Sequence, residues 1–348
     1  MDKHRKLRLG FLGTGWIGRH RLQKLAESGL ADIVAIADPS PDCLQQAAAI
    51  APTAIQATSL DELLQLDLDG LVIATPSALH AEQCRRAFDA GLAVFCQKPL
   101  GRNAAEVASV VNAAHRADRL LGVDFSYRYV AGMDEIRRRI QAGELGRAFA
   151  GRLVFHNAYG PDKAWFYDRD LAGGGCLMDL GVHLVDLALW LFDFPRVEQI
   201  TSRCFAAAER LSLSSNAVED YALAQLDLAN GVSLELACSW NLSAGCDAEI
   251  EASFFGDRAG ARWRNVNGSF FDFNAEWHQG TERETLGSPP DDWGGRAALA
   301  WAEQLIANPA HDRARAAHYI YVAEVLDRIY QQADPTPQAV SAARSAVN

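Results

Sequence analysis

Leu7-Arg8-Leu9-Gly10-Phe11-Leu12-Gly13-Thr14-Gly15-Trp16-Ile17-Gly18 is an apolar run that breaks into glycines and then continues with helical spacing. Where such a G-x-G-x-x-G follows a strand and opens a helix, each glycine has a physical task. Gly13 permits the tight turn, Gly15 lets the backbone approach a pyrophosphate, and Gly18 packs helix on sheet. The helix start, with Thr14, Trp16 and Ile17 around it, offers unpaired N–H groups and a positive dipole end to phosphate oxygens. Alone, the hexamer is also an ordinary glycine-rich turn. The next strand-like run, residues 33–37, ends at Asp38, twenty residues beyond Gly18, where a carboxylate meets adenosine ribose hydroxyls. Pro39, Ser40 and Pro41 follow, with no arginine for a 2′-phosphate, so the pattern favours NAD over NADP.

Outward from this loop, short apolar runs at 7–12, 33–37, 71–74, 93–96 and 120–125 alternate with helical patterns. The helices are expected near 17–28, 41–51, 60–66, 78–90 and 103–118. That alternation predicts an α/β fold over residues 1–125, a doubly wound parallel sheet of the Rossmann kind. From residue 126 the pattern changes. A helix over 132–142 ends at Gly143, and alternating strands follow at 147–157, 197–206, 221–228, 232–240 and 248–255. Asn230-Gly231 marks a hairpin, and residues 256–274 read as two shorter strands. The tail is helical over 294–333, broken near Asn308-Pro309, with a frayed end. Residues 126–348 thus read as a second, α+β domain.

Bulk properties agree with two domains: 348 residues, 49% hydrophobic and 22% charged. A formal charge of -11 argues against nucleic acid or an anionic membrane as the main partner. The seven cysteines are scattered without a C-x-x-C pair, which fits reduced thiols and a cytoplasmic location. No signal-peptide pattern is expected, and the apolar run 184–192 is interrupted by Asp186 and too short to span a bilayer.

Three further stretches carry chemistry. Ala74-Thr75-Pro76-Ser77-Ala78-Leu79-His80 lies at a strand's C-terminal end, where open α/β sheets bind ligands. His80 there reads either as ligand-facing or as a helix-start residue. Phe95-Cys96-Gln97-Lys98-Pro99-Leu100 sits at the next strand end, and a cis bond before Pro99 would aim Lys98 into the cleft. Gly173-Gly174-Gly175-Cys176-Leu177-Met178-Asp179-Leu180-Gly181-Val182-His183 sets a carboxylate and an imidazole on one helix face. Such a pair holds a proton-transferring histidine near neutral pH. Two other readings stay open: metal ligands lacking a third partner nearby, or a buried ion pair. No metal is expected.

Together these motifs resemble the glucose–fructose oxidoreductase / inositol dehydrogenase / rhizopine-catabolism (Gfo/Idh/MocA) family over about residues 7–333, Gly143-Glu144-Leu145-Gly146 included. The resemblance implies an NAD(P)-dependent oxidoreductase that moves a hydride between nicotinamide and a secondary alcohol or ketone of a sugar or polyol. It implies an open, mostly antiparallel C-terminal sheet and a homodimer or homotetramer built on it. It makes Lys98, Asp179 and His183 catalytic. It assigns cofactor contacts to residues 13–18, Asp38, Thr75, Pro76, Ser77, His80, Gln97, Lys98, Ser126 and Trp165. Substrate contacts fall to Lys98, Arg128, Tyr159, Trp165, Asp179 and His183. Either His183 or Lys98 takes the hydroxyl proton while the other stabilises the alkoxide.

There are departures from the family pattern. Gln97 replaces the usual glutamate and removes a negative charge beside Lys98. Trp165-Phe166 stands where many members have Trp-Arg, and Ser126-Tyr127-Arg128 has serine for asparagine. The aromatic loop 159–169 suits a carbohydrate ring or covers the interdomain hinge. Glu219, Asp220, Trp240, Asn241, Trp277 and His278 are further polar or aromatic candidates that the sequence does not place. Two alternatives remain: a phosphorylated or nucleotide-linked sugar held by Lys163, Arg169 and Arg128, or a silent dinucleotide-binding regulator.

Overall fold

The computed structural model describes residues 5–212 and 216–333. The first half forms a six-stranded parallel sheet in the order β3-β2-β1-β4-β5-β6. Its strands are β1 (Leu7–Leu12), β2 (Ala31–Ala37), β3 (Ile55–Ala57), β4 (Gly70–Ile73), β5 (Ala93–Cys96) and β6 (Leu121–Val123). Between them run α1 (Trp16–Glu27), α2 (Pro41–Ile50), α3 (Leu60–Leu64), α4 (Ser77–Asp89) and α5 (Ala104–Ala117). The order reverses direction at β1 and β4, so their C-terminal ends open a crevice there. β4 and β5 are buried along their whole length, as expected for strands covered on both faces.

After α6 (Met133–Gln141) comes a nine-stranded sheet in the order β15-β14-β13-β12-β7-β11-β10-β8-β9. Its strands are β7 (Ala148–Asn157), β8 (Val197–Ala206), β9 (Glu209–Arg210), β10 (Tyr221–Leu228), β11 (Ser233–Ser239), β12 (Ala248–Gly256), β13 (Gly260–Asn265), β14 (Phe273–Gln279) and β15 (Glu282–Gly287). Only β7 and β11 pair in parallel. α8 (Val182–Leu191) and α10 (Arg313–Ala333) pack on its inner face, the short α7 (Arg169–Ala172) packs against α4, and α9 (Arg296–Ala307) precedes α10.

α9 returns to the first sheet. Its Trp301, 3% exposed, lies across β4, β5 and β6. A Cβ at Gly70 or Gly122 would come within 2.8 or 2.6 Å of that indole, so the glycines make the groove it fills. The stretch Arg169–Leu191 is long and apolar enough by composition to cross a membrane, but 94% of its apolar window is buried in the fold. Asp186, which interrupts that stretch, is matched there by Arg128.

Three strands escape the sequence reading, among them β9, two residues long with both exposed. β3 is three residues long with two exposed, and so shows no apolar run. The strands expected within 256–274 extend to residue 287, because β15 is an exposed edge strand with no buried face to mark it. The frayed end expected after residue 333 lies outside the described residues.

Candidate active site

The turn from β1 to α1 has the predicted geometry. Gly13 adopts φ +88, and a Cβ there would lie 2.5 Å from the Ala74 carbonyl oxygen. At Gly18 a Cβ would lie 2.1 Å from the Gly13 carbonyl, so neither position admits a side chain. Gly15 is different: nothing lies within 4 Å of its Cβ position, leaving open space before the first turn of α1. That turn carries no side-chain cap and no acidic residue. An open glycine, free N–H groups and a positive dipole end fit a pyrophosphate. Asp38 closes the loop, accepting from Thr14 N at 2.6 Å and Ser40 N at 2.8 Å. A carboxylate has about four acceptor positions, so room remains for ribose hydroxyls.

The three glycines serve packing. Gly173 ends α7 at φ +87. A Cβ at Gly174 would meet the Tyr330 hydroxyl at 2.0 Å, and one at Gly175 the Glu219 carbonyl at 1.9 Å. This lets buried Glu219 reach the start of the next helical turn. Its Oε1 accepts from Gly175 N and Leu177 N at 2.9 Å each, and from the Tyr330 hydroxyl at 2.8 Å. Burial raises the proton affinity of Glu219, and these donors oppose that shift. Residues Leu177–Gly181 then form one π-helical turn before α8.

That turn aims Asp179 at the end of β5. The Lys98–Pro99 bond is cis. Lys98 Nζ donates to the Asp179 carboxylate and to its backbone carbonyl, each at 2.7 Å. Trp240 Nε1 donates to the other carboxylate oxygen at 3.3 Å. No hydrogen bond joins Asp179 to His183. The imidazole is set instead by aromatic edges, with the Tyr127 ring 4.8 Å away at 71°. His183 is 8% exposed, and burial, then Lys98 and Arg21, hold its pKa well below 6.5. It is therefore neutral at neutral pH, with no hydrogen-bond partner among the described residues.

These groups wall one cavity of about 810 Å³ that runs from the start of α1 to the inner face of the second sheet. Residues 7–125 match the oxidoreductase family with an NAD-binding Rossmann fold, and residues 133–262 match the GFO/IDH/MocA C-terminal domain. The chain belongs to the Gfo/Idh/MocA oxidoreductase family. It is similar to D-glucoside 3-dehydrogenase of Escherichia coli, 26% identical over 271 residues, covering 73% of this chain and 76% of that one. Inositol 2-dehydrogenase of Gluconacetobacter diazotrophicus is 27% identical over 328 residues, with 86% and 93% covered. Among solved structures, levoglucosan dehydrogenase in complex with NADH superposes with TM-score 0.80 at 20% identity, covering 94% of this chain and 97% of that one. A 3-ketoreductase from Actinomadura kijaniata in complex with NADP and TDP-benzene gives 0.80 at 20% identity, with 95% and 98% covered. At that identity the two structures establish the shared fold.

The Gfo/Idh/MocA frame places the expected residues unevenly. Trp16, Ile17, Thr75, Ser77, Gln97, Lys98 and Ser126 wall the cavity on the side of the first sheet. Trp165, Asp179 and His183 wall it opposite. Gly13, Thr14, Gly15, Gly18, Asp38 and Pro76 lie outside its walls. His80 borders the cavity, but its Nδ1 faces the Pro99 carbonyl and its Nε2 the Thr75 carbonyl, both at 2.7 Å. It braces the two loops and has no nitrogen left for a ligand.

Arg128 and Tyr159 depart from their expected substrate contacts. Arg128 is buried in an ion pair with Asp186, its guanidinium against Phe125, Trp190 and Phe194. Tyr159 is an exposed residue packed on Phe270, outside the cavity walls. In the aromatic loop only Trp165 and Phe166 turn inward, stacked at 3.8 Å. Of the unplaced candidates, Trp240 touches the centre through Asp179, while Glu219 caps the helical turn. Asp220, Asn241, Trp277 and His278 lie away from the cavity walls.

The sequence reading missed Arg21, Asp124, Tyr127 and Phe155, and the far wall of Phe270–Asp272 and Pro290–Gly294. Tyr127, one residue from the misplaced Arg128 in a 3-10 turn, had a signal in its place within the family segment. The others had none. Among the described residues, no group of three His, Cys, Asp or Glu side chains is arranged to hold a metal ion.

Proposed function

We propose that the chain is an NAD-dependent dehydrogenase that interconverts a secondary alcohol and a ketone on an uncharged sugar or polyol. The supporting observation is one cavity in which a lysine anchored by Asp179 faces a neutral, unpartnered histidine. With the pyrophosphate of NAD held along the Gly13–Gly18 loop, the nicotinamide would reach the cavity and supply the hydride acceptor or donor.

An ammonium has three N–H bonds, and Lys98 spends two on Asp179. The third is left for the substrate hydroxyl, where it stabilises alkoxide charge as the proton leaves. His183 is the proton acceptor in this reading, since it is uncharged and its nitrogens have no other partner. Tyr127 and Phe155 fix the ring, and Trp165 and Phe166 offer apolar faces to the C–H face of a sugar. Asp179 acts through Lys98, holding the ammonium in place.

The anionic-substrate alternative loses its support. The lysine and arginine side chains among the described wall residues are Lys98 and Arg21, and each is already paired with a carboxylate. Lys163 pairs with Asp162 on the exposed loop, and Arg169 lines a separate small pocket behind Gly174. A homodimer or homotetramer through the open face of the second sheet is supported by exposed Leu223 and Phe255 there. A cytoplasmic setting is supported by seven unbridged cysteines.

Incubation of the pure protein with NAD and a panel of neutral sugars and polyols, followed by NADH absorbance, tests the proposal. Turnover is expected on at least one of them and on none of their phosphate esters. Turnover confined to the esters would overturn the substrate class.

A further inference from the structure

Gln97 stands where the family usually has glutamate, and the structure shows where a carboxylate has gone instead. Asp124, directly after β6, is fully buried behind Gln97. One oxygen of Asp124 accepts from Arg21 Nε at 2.6 Å and from Gln97 Nε2. The Arg21 and Asp124 side chains are 5% and 0% exposed, so water contributes little to holding the pair. The second oxygen of Asp124, Oδ1, has no partner at all. Arg21 also donates to His20 Nδ1 at 2.9 Å, which fixes the guanidinium from its other side.

An amide can face either way, and its orientation is decided by its neighbours. A carboxylate accepts only, so the Gln97 NH2 must point at Asp124. The Gln97 carbonyl oxygen is thereby turned the other way. It makes no hydrogen bond to a described residue and is not among the buried side-chain atoms sealed without a partner. Gln97 walls the cavity next to Lys98 at the end of β5, where the ribose on the nicotinamide side of a bound NAD would lie.

We propose that Asp124, held by Arg21, is the positioning residue of the cofactor site: it locks the Gln97 amide so that its carbonyl oxygen accepts a hydroxyl of that ribose. The same contact makes residues 97 and 124 interdependent. With aspartate at 124, a glutamate at 97 would set two buried carboxylates against each other. With Asp124 gone, a carboxylate at 97 can reach Arg21 itself, because the Arg21 and Gln97 donors already meet at a single oxygen.

The inference rests on the NAD site, and NADH binding by the wild-type protein tests that site separately from any substrate. The experiment is a double-mutant cycle of Gln97→Glu, Asp124→Ala and the combined variant, read as NADH Kd by fluorescence, with thermal unfolding to confirm that each is folded. Gln97→Glu alone should raise Kd on the order of tenfold, and Asp124→Ala alone should also weaken binding. The combined variant should bind more tightly than either single one. Wild-type affinity in Gln97→Glu would overturn the inference, as would a combined variant no tighter than Gln97→Glu. A wild-type protein that fails to bind NADH would instead sink the cofactor site on which the inference rests.

Discussion

Lys98 and His183 share a cavity but not a state of charge, and this division follows from their partners. Lys98 is anchored by the Asp179 carboxylate, while burial between rings, and then the cations Lys98 and Arg21, lower the proton affinity of His183. A neutral imidazole with a depressed pKa remains a proton acceptor well into acid. The acidic limb of kcat/KM for alcohol oxidation should therefore lie below the ordinary histidine value of 6.5 and disappear in His183→Gln. The stability contribution has the same sign. His183 stays neutral in the folded protein, so its contribution is present above 6.5 and is lost as pH falls toward the depressed folded value. Thermal unfolding between neutral and mildly acidic pH, compared with His183→Gln, measures it.

Arg128 is the opposite case, an arginine held in a buried ion pair outside the cavity walls. Arg128→Met should cost about 3–5 kcal/mol in denaturant unfolding, because it leaves Asp186 buried and alone. The residues Lys98, Asp179 and His183 were legible in the sequence, since each sits in a motif. The partnerships Lys98–Asp179, Arg21–Asp124 and Arg128–Asp186 were not, because their members lie far apart in the chain. A charge read singly looks like a site or a surface.

The glycine segment and the helical run after it act as one element. Gly174 and Gly175 bring Tyr330 and Glu219 into contact with the backbone, and Glu219 satisfies the N–H groups that begin the turn carrying Asp179. A methyl at Gly175 would collide with backbone, which cannot swing aside as a flexible side chain can. Gly175→Ala should destabilise by about 1–3 kcal/mol and displace Asp179, lowering kcat with cofactor affinity kept. NADH titration beside steady-state kinetics separates those effects. At this scale the sequence showed most strands and helices, because apolar periodicity marks elements with a buried face. It could not show the π turn, which depends on hydrogen-bond geometry, or β3 and β15, which bury too little to leave a pattern.

Across the whole molecule, the strand ends of the first sheet and the second domain wall the cavity, and α9 ties the chain back to the first sheet. Trp301 fills the groove over β4–β6, so Trp301→Ala should cost about 3–5 kcal/mol in unfolding while leaving the reacting groups in place. The two-sheet architecture was legible from the change of pattern near residue 126. The return of α9 to the first sheet was not, since an apolar helix stripe does not name the surface it meets. In the proposed reaction this cavity oxidises a neutral sugar or polyol, with Lys98 stabilising the alkoxide. Its most direct measurement is NADH formation by the wild-type protein and by Lys98→Met across the same neutral panel. Turnover is expected of the wild type, with a loss on the order of a thousandfold in the variant and NADH still bound. NADH binding without turnover on any of these alcohols, or a variant as active as the wild type, would contradict it.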